Sequence, residues 1–300
     1  MISHLENIIN KISEANPLAG KKLKRNFPLY SGEHKQKAEE FFNRYSEYLR
    51  SLNKTIDFAV DCYLKMIGDM FHERINFLES GKYSNTSYKE VEEKIYSKPE
   101  IMDYHMHGLI LAQFLWLDQF VRFKFFSDNL LKHKPVKKYL EVGGGHGLYV
   151  GEAVKLLGSE IEFEVVDISQ SSLNICMNLV HGRNVNFVLK DIFEYNDSDK
   201  FDFITAGEVV EHLEDPLSLL MKLNDLLDDS GTVYLTTPVN APMIDHIYLF
   251  NSVAEIRTLI EKANLKIVDE TQAYSDLMPE EQVIKHKIPL MYACFLKKQN

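Results

Sequence analysis

Residues 139–147 read YLEVGGGHG and predict a β-strand that ends at an acidic residue and continues into a glycine-rich loop. Gly143, Gly145 and Gly147 stand two positions apart in that loop. Side chains at these positions would block a flat ligand from lying across the end of the strand, which is where open α/β sheets bind their ligands. The loop indicates a ligand site at the carboxyl edge of a parallel sheet, with a tight structural turn as the alternative.

The spacing of the glycines separates three kinds of ligand. A dinucleotide-binding fold uses G-x-G-x-x-G, but counted from Gly143 the last glycine position holds Leu148. A phosphate-binding Walker loop ends in Gly-Lys-Ser/Thr, whereas residues 147–149 are Gly-Leu-Tyr. These spacings disfavour a nicotinamide oxidoreductase and a nucleotide hydrolase, and they leave the pattern E-x-G-x-G-x-G, which begins at Glu141.

Beyond Pro135, short β-prone runs alternate with helical stretches, as in parallel strands joined by crossover helices. The predicted strands are Lys138–Val142, Ile161–Asp167, Val185–Lys190, Phe201–Ala206, Thr232–Thr237, Leu265–Thr271 and Leu290–Leu296. The predicted helices lie near Tyr149–Leu157, Ser171–Asn178, Leu217–Leu227 and Ser252–Ala263. The sequence thus predicts an α/β fold for this half of the chain.

Further motifs follow the glycine loop in a fixed order. The second predicted strand ends at Asp167, about twenty positions on, where a carboxylate can accept both hydroxyls of a ribose. The third is followed by Asp191 and Ile192. Residues 201–216 read FDFITAGEVVEHLEDP, and residues 230–238 read SGTVYLTTP.

These four ordered motifs resemble those of the class I S-adenosylmethionine-dependent methyltransferases, and residues 201–216 closely resemble the ubiquinone-biosynthesis-type branch. The resemblance covers roughly residues 137–296 and implies a doubly wound, Rossmann-like, mostly parallel seven-stranded sheet. It implies S-adenosylmethionine as cofactor, with Asp191 at the adenine amino group and an apolar neighbour on the ring. Glu141 stands where the family more often has Asp, a change that keeps the carboxylate. The implied cofactor-binding residues are Glu141, Gly143, Gly145, Gly147, Asp167, Ile168, Asp191, Ile192 and Gly207.

Two residues after the fourth strand are candidates for catalysis. A methyl acceptor that must lose a proton needs a base, and a histidine can accept a proton at neutral pH, which makes His212 the candidate. Glu208 lies four residues earlier, so both side chains would share a face if the segment is helical. His212 can equally be a structural residue of the crossover helix. Two ligands do not make a metal site, and no metal is predicted.

The first 131 residues follow a different pattern, with sparse glycine and apolar residues at three- and four-residue steps that predict helices. Residues 102–130 predict a helix pair or one long buried helix, and Ser87 can cap a short helix beginning near Tyr88. We divide the chain into a helical region, 1–131, and a catalytic domain, 132–300. The helical region is expected to cap the acceptor pocket, to form a homodimer, or both. The predicted acceptor-binding residues are Tyr104, His107, Trp116 and His246.

The composition narrows the chemical class of the acceptor and the expected cellular location. The formal net charge of −10 disfavours nucleic acid as a partner, because such binding depends on neutralising phosphates. Three widely spaced cysteines indicate neither a disulfide framework nor a cysteine-ligated metal. No signal peptide or membrane-length apolar run is visible, so a cytoplasmic location and no membrane partner are expected. The leading prediction is methyl transfer to oxygen or nitrogen of a small molecule, and the alternative is a non-catalytic S-adenosylmethionine-binding scaffold or regulator.

Overall fold

The computed structural model describes residues 2–180, 184–196 and 200–299 and contains one seven-stranded sheet. Its strands are β1 (Lys138–Val142), β2 (Glu162–Asp167), β3 (Val185–Leu189), β4 (Phe201–Gly207), β5 (Leu227–Val239), β6 (Leu265–Tyr274) and β7 (Leu290–Lys298). The strand order is β3-β2-β1-β4-β5-β7-β6. Strands β1 to β5 are parallel, and β7 runs antiparallel to both β5 and β6. The predicted mostly parallel, doubly wound sheet is confirmed.

Helices connect these strands on both faces of the sheet. They are α8 (Leu148–Leu157), α9 (Gln170–Leu179), α10 (Pro216–Leu226), α11 (Val253–Lys262) and the short α12 (Glu280–Lys285). The four predicted helices are confirmed to within one residue at either end, whereas α12 was not predicted. Strand β5 begins at Leu227, five residues before the predicted Thr232, so the prediction that Leu227 is helical is wrong. Leu227 already pairs with Phe201 across the β4–β5 ladder.

Seven helices precede the sheet. They are α1 (His4–Ala15), α2 (Pro17–Asn26), α3 (Gly32–Ser51), α4 (Ile56–Ser80), α5 (Tyr88–Val91), α6 (Pro99–Leu115) and α7 (Leu117–Asn129). The Ser87 hydroxyl accepts a hydrogen bond from the Glu90 N–H at 3.3 Å, which confirms the predicted cap of α5. The region 102–130 is a helix pair that breaks at Trp116, whose backbone is extended and whose indole N–H donates to the Tyr63 hydroxyl at 3.0 Å.

The helical region and the sheet share one hydrophobic core, which includes residues of α1, α3, α4, α6 and α7 as well as of the strands. Helix α7 lies on the sheet: the Phe126 ring packs against those of Tyr149 and Tyr234, with centroids 5.1 and 5.0 Å away. The Tyr234 hydroxyl donates to the Arg122 carbonyl at 2.8 Å. This contact fixes α7 and places residues of the helical region over the carboxyl edge of the strands. None of the helices in the described ranges has the length and hydropathy needed to cross a membrane.

Candidate active site

A large cavity of about 1840 Å³ lies between the carboxyl edge of β1, β2 and β4 and the helical region. The sheet supplies the glycine loop, Asp167 and Asp191 to its wall. Helices α4 and α6 supply mostly apolar side chains, whereas α2 also supplies Lys21, Lys22 and Arg25. Pockets that hold one drug-sized ligand measure about 300–1,000 Å³. This cavity therefore has room for a cofactor and an acceptor side by side.

The three glycines of the loop serve two different purposes. Gly147 has φ +71°, and a Cβ there would lie 2.7 Å from both Cys176 Sγ and Val180 Cγ2, so its lack of a side chain allows α9 to pack. Gly147 lies outside the cavity lining, contrary to its predicted place at the cofactor. Gly143 and Gly145 do line the cavity. Gly145 has φ +49°, and a Cβ there would meet no protein atom within 4 Å, so the loop leaves open space at this position.

Asp167 lies at the end of β2, buried at the cavity wall with 9% of its surface exposed. Its carboxylate accepts hydrogen bonds from the Ser169 N–H at 2.7 Å and from the Gly145 N–H at 3.3 Å. Burial raises the pKa of Asp167 above its ordinary value, and these backbone donors oppose the rise. The carboxylate is thus fixed beside the glycine loop, as its predicted role requires.

The other predicted cofactor-binding residues surround the same part of the cavity. Ile168, Asp191, Ile192, Glu141 and Gly207 all line it. Half of the Ile168 surface is exposed in the absence of a ligand, which is unusual for an isoleucine beside a buried strand end. Glu141 is buried, and burial raises the pKa of its carboxyl well above the ordinary range. The Tyr139 hydroxyl donates to Glu141 at 3.2 Å, so this group is anchored within the sheet.

Arg122 is a site residue that the sequence analysis missed. It lies on α7, is fully buried and lines the cavity. Its guanidinium donates from Nη1 to Glu208 Oε1 and from Nη2 to Gln119 Oε1, while Nε has no partner among the described residues. An unpaired donor on a buried guanidinium can bind a carboxylate that comes within its reach, which makes Arg122 a candidate site residue. Nothing in the local sequence marked Arg122 as a site residue. It lies nineteen residues before Glu141, and the contacts of its helix cannot be read from the sequence.

Glu208 and His212 do not form the pair that the sequence suggested. Glu208 has φ +58° in the left-handed region, and only Val210–His212 form a short 3₁₀ turn, so the two side chains share no helical face. Glu208 instead pairs with Arg122 and accepts from the Thr236 hydroxyl at 2.9 Å. Both contacts use Oε1, and Glu208 lines the cavity, so its predicted part in catalysis stays a prediction.

His212 lines the cavity with 21% of its side chain exposed. Its Nδ1 lies 3.0 Å from the Asp245 carbonyl oxygen and 3.2 Å from the Tyr96 hydroxyl. A carbonyl only accepts hydrogen bonds, so this contact assigns the proton of a neutral ring to Nδ1 and leaves the lone pair at Nε2. The His212 ring is thus held by contacts at Nδ1, and its role as a base stays a prediction.

The predicted acceptor-binding residues divide into two pairs. Trp116 and His246 line the cavity, and the His246 ring packs edge-to-face on His212 with centroids 4.9 Å apart. Tyr104 and His107 do not line it, so their predicted contact with the acceptor is corrected. The Tyr104 hydroxyl donates to Asp69 at 2.6 Å, and His107 Nδ1 lies 2.6 Å from the Tyr45 hydroxyl in the helical core. On the same helix, His105 faces the cavity instead.

Glu211, His212 and His246 offer donor atoms that lie within 4.8 Å of one another. Burial and the neighbouring Glu208 raise the pKa of Glu211 well above its ordinary value, which favours its protonated form. The Thr237 hydroxyl donates to Glu211 at 3.0 Å. A protonated carboxyl is a poor metal ligand. We assign no metal to this group, and the absence of a metal from the reaction stays a prediction.

Comparison with known proteins agrees with this arrangement. The family model described as a methyltransferase domain matches residues 116–270, more than half of the chain. The malonyl-[acyl-carrier protein] O-methyltransferase 1 of Ilyobacter polytropus is 29% identical over 119 residues, which cover 38% of this chain and 44% of that relative. The chain thus spans less than half of the length of that relative. The ubiquinone biosynthesis O-methyltransferase of Coxiella burnetii is 26% identical over 200 residues, which cover 58% and 82%.

Solved structures share the fold at low identity. The N-methyltransferase NodS of Bradyrhizobium japonicum, in complex with S-adenosyl-L-homocysteine, superposes with a TM-score of 0.52 at 14% identity, over 72% of this chain and all of that one. The mitomycin 7-O-methyltransferase MmcR gives 0.54 at 10% identity, over 81% and 70%. At such identities these likenesses concern the fold alone.

The chain belongs to the methyltransferase-domain family, and the fold and the match define it as a class I S-adenosylmethionine-dependent methyltransferase. Its own residues fit the cofactor. Gly145 leaves open space beside the fixed Asp167 carboxylate, and a buried guanidinium with a free donor lies in the same cavity.

Proposed function

We propose that this enzyme methylates an oxygen, or a nitrogen that must lose a proton, of a small-molecule acceptor, with His212 as the general base. One observation carries the proposal: a histidine with a fixed ring opens into an otherwise largely apolar cavity that continues to the glycine loop. The O-methyltransferase names of both curated relatives favour oxygen. The acidic surface, with a net charge of −10, argues against nucleic acid.

The chain's residues have separate tasks in this reaction. When bound, S-adenosylmethionine supplies a methyl group on a sulfonium leaving group. Asp167 would hold the ribose hydroxyls, Asp191 the adenine amino group and Arg122 the methionine carboxylate. His212 would take the acceptor's proton at Nε2, which would leave on the acceptor atom the electron pair that methylation requires. The apolar wall keeps water from competing for that carbon, and positioning of the two reactants can contribute about 7–11 kcal/mol.

The helical region would act as a cap. Met102, Met106 and Leu109 of α6 and Ile67 of α4 face the cavity from the side opposite the sheet. We therefore assign acceptor specificity mainly to residues 1–131, whereas the glycine loop, Asp167, Asp191 and the base His212 lie in residues 132–300. Homodimer formation through the helices stays a prediction. A non-catalytic scaffold would need no acceptor space, and the size of the cavity disfavours that alternative.

The proposal is tested by formation of S-adenosylhomocysteine with three probes: catechol for a phenolic oxygen, benzoate for a carboxylate oxygen and benzylamine for a nitrogen. We expect turnover with catechol and a fall of about 10²–10⁴-fold in kcat for His212→Ala, the usual contribution of a general base. His72→Ala, an exposed histidine outside the cavity, is the matched control. Full turnover by His212→Ala would show that His212 is not the base.

A further inference from the structure

The structure places one buried carboxylate between two imidazoles that come from opposite halves of the chain. Asp245 Oδ2 lies 3.7 Å from Nδ1 of His212 and 3.5 Å from Nε2 of His105. Asp245 follows β5, whereas His105 lies on α6 in the helical region. Both residues are almost fully buried, with 6% and 2% of their surfaces exposed, and both line the cavity.

The charge of this carboxylate depends on its two imidazole neighbours. Burial by itself would raise the pKa of Asp245, but the imidazoles of His105 and His212 outweigh it and lower this pKa well below the ordinary range. Burial lowers the pKa of His246 to about 3 and raises those of Tyr96 and Glu211 well above their ordinary values. Among the described residues, the imidazoles of His105 and His212 are thus the groups placed to pair with an ionised Asp245.

We propose that Asp245 and His105 are positioning residues for His212, which together form a buried relay from the helical region to the base. This inference rests on the proposed function, in which His212 accepts the acceptor's proton. The backbone carbonyl of Asp245 holds the Nδ1 proton of His212, and its carboxylate stabilises the positive charge that the ring gains at Nε2. His105 holds the carboxylate from the opposite side.

The relay explains two features that the proposed function alone leaves open. A buried charge is costly unless it is paired, so an ionised Asp245 deep in the fold needs a reason. A histidine whose partner carboxylate stabilises its protonated form is a more effective proton acceptor, as in the serine protease triad. Because His105 lies on α6, the base is complete only when the helical region is packed against the sheet. The helical region would then take part in the chemistry as well as covering the acceptor.

A double-mutant cycle tests whether Asp245 acts through His212. With catechol as probe, Asp245→Asn and His105→Phe should each lower kcat by at least about tenfold, with little change in the KM for S-adenosylmethionine. In the His212→Ala background the same two changes should alter kcat less than about twofold, because residues that act as a unit are not additive. Asp61→Asn and His72→Phe, at exposed positions outside the cavity, are matched controls.

The cycle separates the two proposals. In one outcome, His212→Ala loses activity and the double variants show the full sum of the single losses. This result would overturn the relay but leave His212 as the base. Unchanged activity in His212→Ala would overturn the base itself, and the relay with it.

A second measurement needs no acceptor. Ring ¹⁵N resonances of histidine-labelled protein bound to S-adenosylhomocysteine report the proton on each nitrogen of His212. We expect the neutral ring to carry its proton at Nδ1, and the His212 resonances to shift in both Asp245→Asn and His105→Phe, although His105 reaches His212 only through Asp245. His72 resonances should stay in place, and unchanged His212 resonances in Asp245→Asn would overturn the relay.

Discussion

Replacing Gly145 by alanine tests whether the loop leaves space for a ligand at this position. The change should reduce ligand binding while it affects folding little. The backbone at this position has φ +49°, and an added Cβ would touch no protein atom within 4 Å. The change should therefore cost only the strain of an alanine in the left-handed region, about 1–2 kcal/mol of the free energy of unfolding. The new methyl group, however, would occupy the open space beside Asp167.

The control for Gly145→Ala is Gly81→Ala. Gly81 ends α4 with φ +73°, and a Cβ there would also meet nothing within 4 Å. Both variants should thus lose a similar amount of stability in chemical denaturation, while only one changes the cavity. We expect the Kd for S-adenosylmethionine, measured by calorimetry, to rise at least about tenfold in Gly145→Ala, or about 1.4 kcal/mol, and to stay unchanged in Gly81→Ala. Equal affinity of the two variants would refute our account of the loop.

Three further expectations follow from the site. Arg122→Met should weaken S-adenosylmethionine binding by about 10- to 100-fold, which corresponds to a charge-assisted hydrogen bond of roughly 1.5–3 kcal/mol. It should weaken adenosine binding little. Equal losses for both ligands would show that Arg122 does not bind the methionine carboxylate. Affinity for S-adenosylmethionine should fall as the pH is lowered through the raised pKa of Asp167, because the ribose hydroxyls donate to the ionised carboxylate. In calorimetry the fall in affinity should occur above the pH at which an ordinary aspartate titrates. Asp167→Asn should abolish this pH dependence. Dialysis against EDTA should leave turnover of catechol unchanged, because the raised pKa of Glu211 disfavours the carboxylate that a metal would need. Recovery of lost activity by added Mg²⁺ would contradict this.

The strands of the sheet could be predicted because the residues at their carboxyl ends are of the types that this fold uses there. The spacing of Gly143, Gly145 and Asp167 follows from the geometry of β1, β2 and the loop between them, so local sequence carries it. The least predictable strand end was the start of β5. Asp228, Asp229 and Ser230 are weak strand formers, and they lie in an irregular stretch of the ladder between the pairs Leu227–Phe201 and Thr232–Phe203.

The acceptor side could not be predicted from local sequence, because it is assembled from elements that are distant along the chain. His105 and His107 stand two residues apart on one helix, and only the packing of α6 decides that His105 meets Asp245 while His107 meets Tyr45. Arg122 was missed for the same reason: its partner Glu208 lies 86 residues further on. Long-range pairing of charges leaves no periodic pattern in a sequence.

The central claim is that the cavity at the glycine loop binds S-adenosylmethionine through Asp167. It is tested most directly by calorimetric titration of the wild type and of Asp167→Ala with S-adenosylmethionine and, separately, with NADH. We predict that the wild type binds S-adenosylmethionine and not NADH, and that Asp167→Ala binds it about 10- to 100-fold more weakly, as expected for loss of hydrogen bonds to a charged group. Binding of NADH, or unchanged affinity of Asp167→Ala for S-adenosylmethionine, would contradict the account.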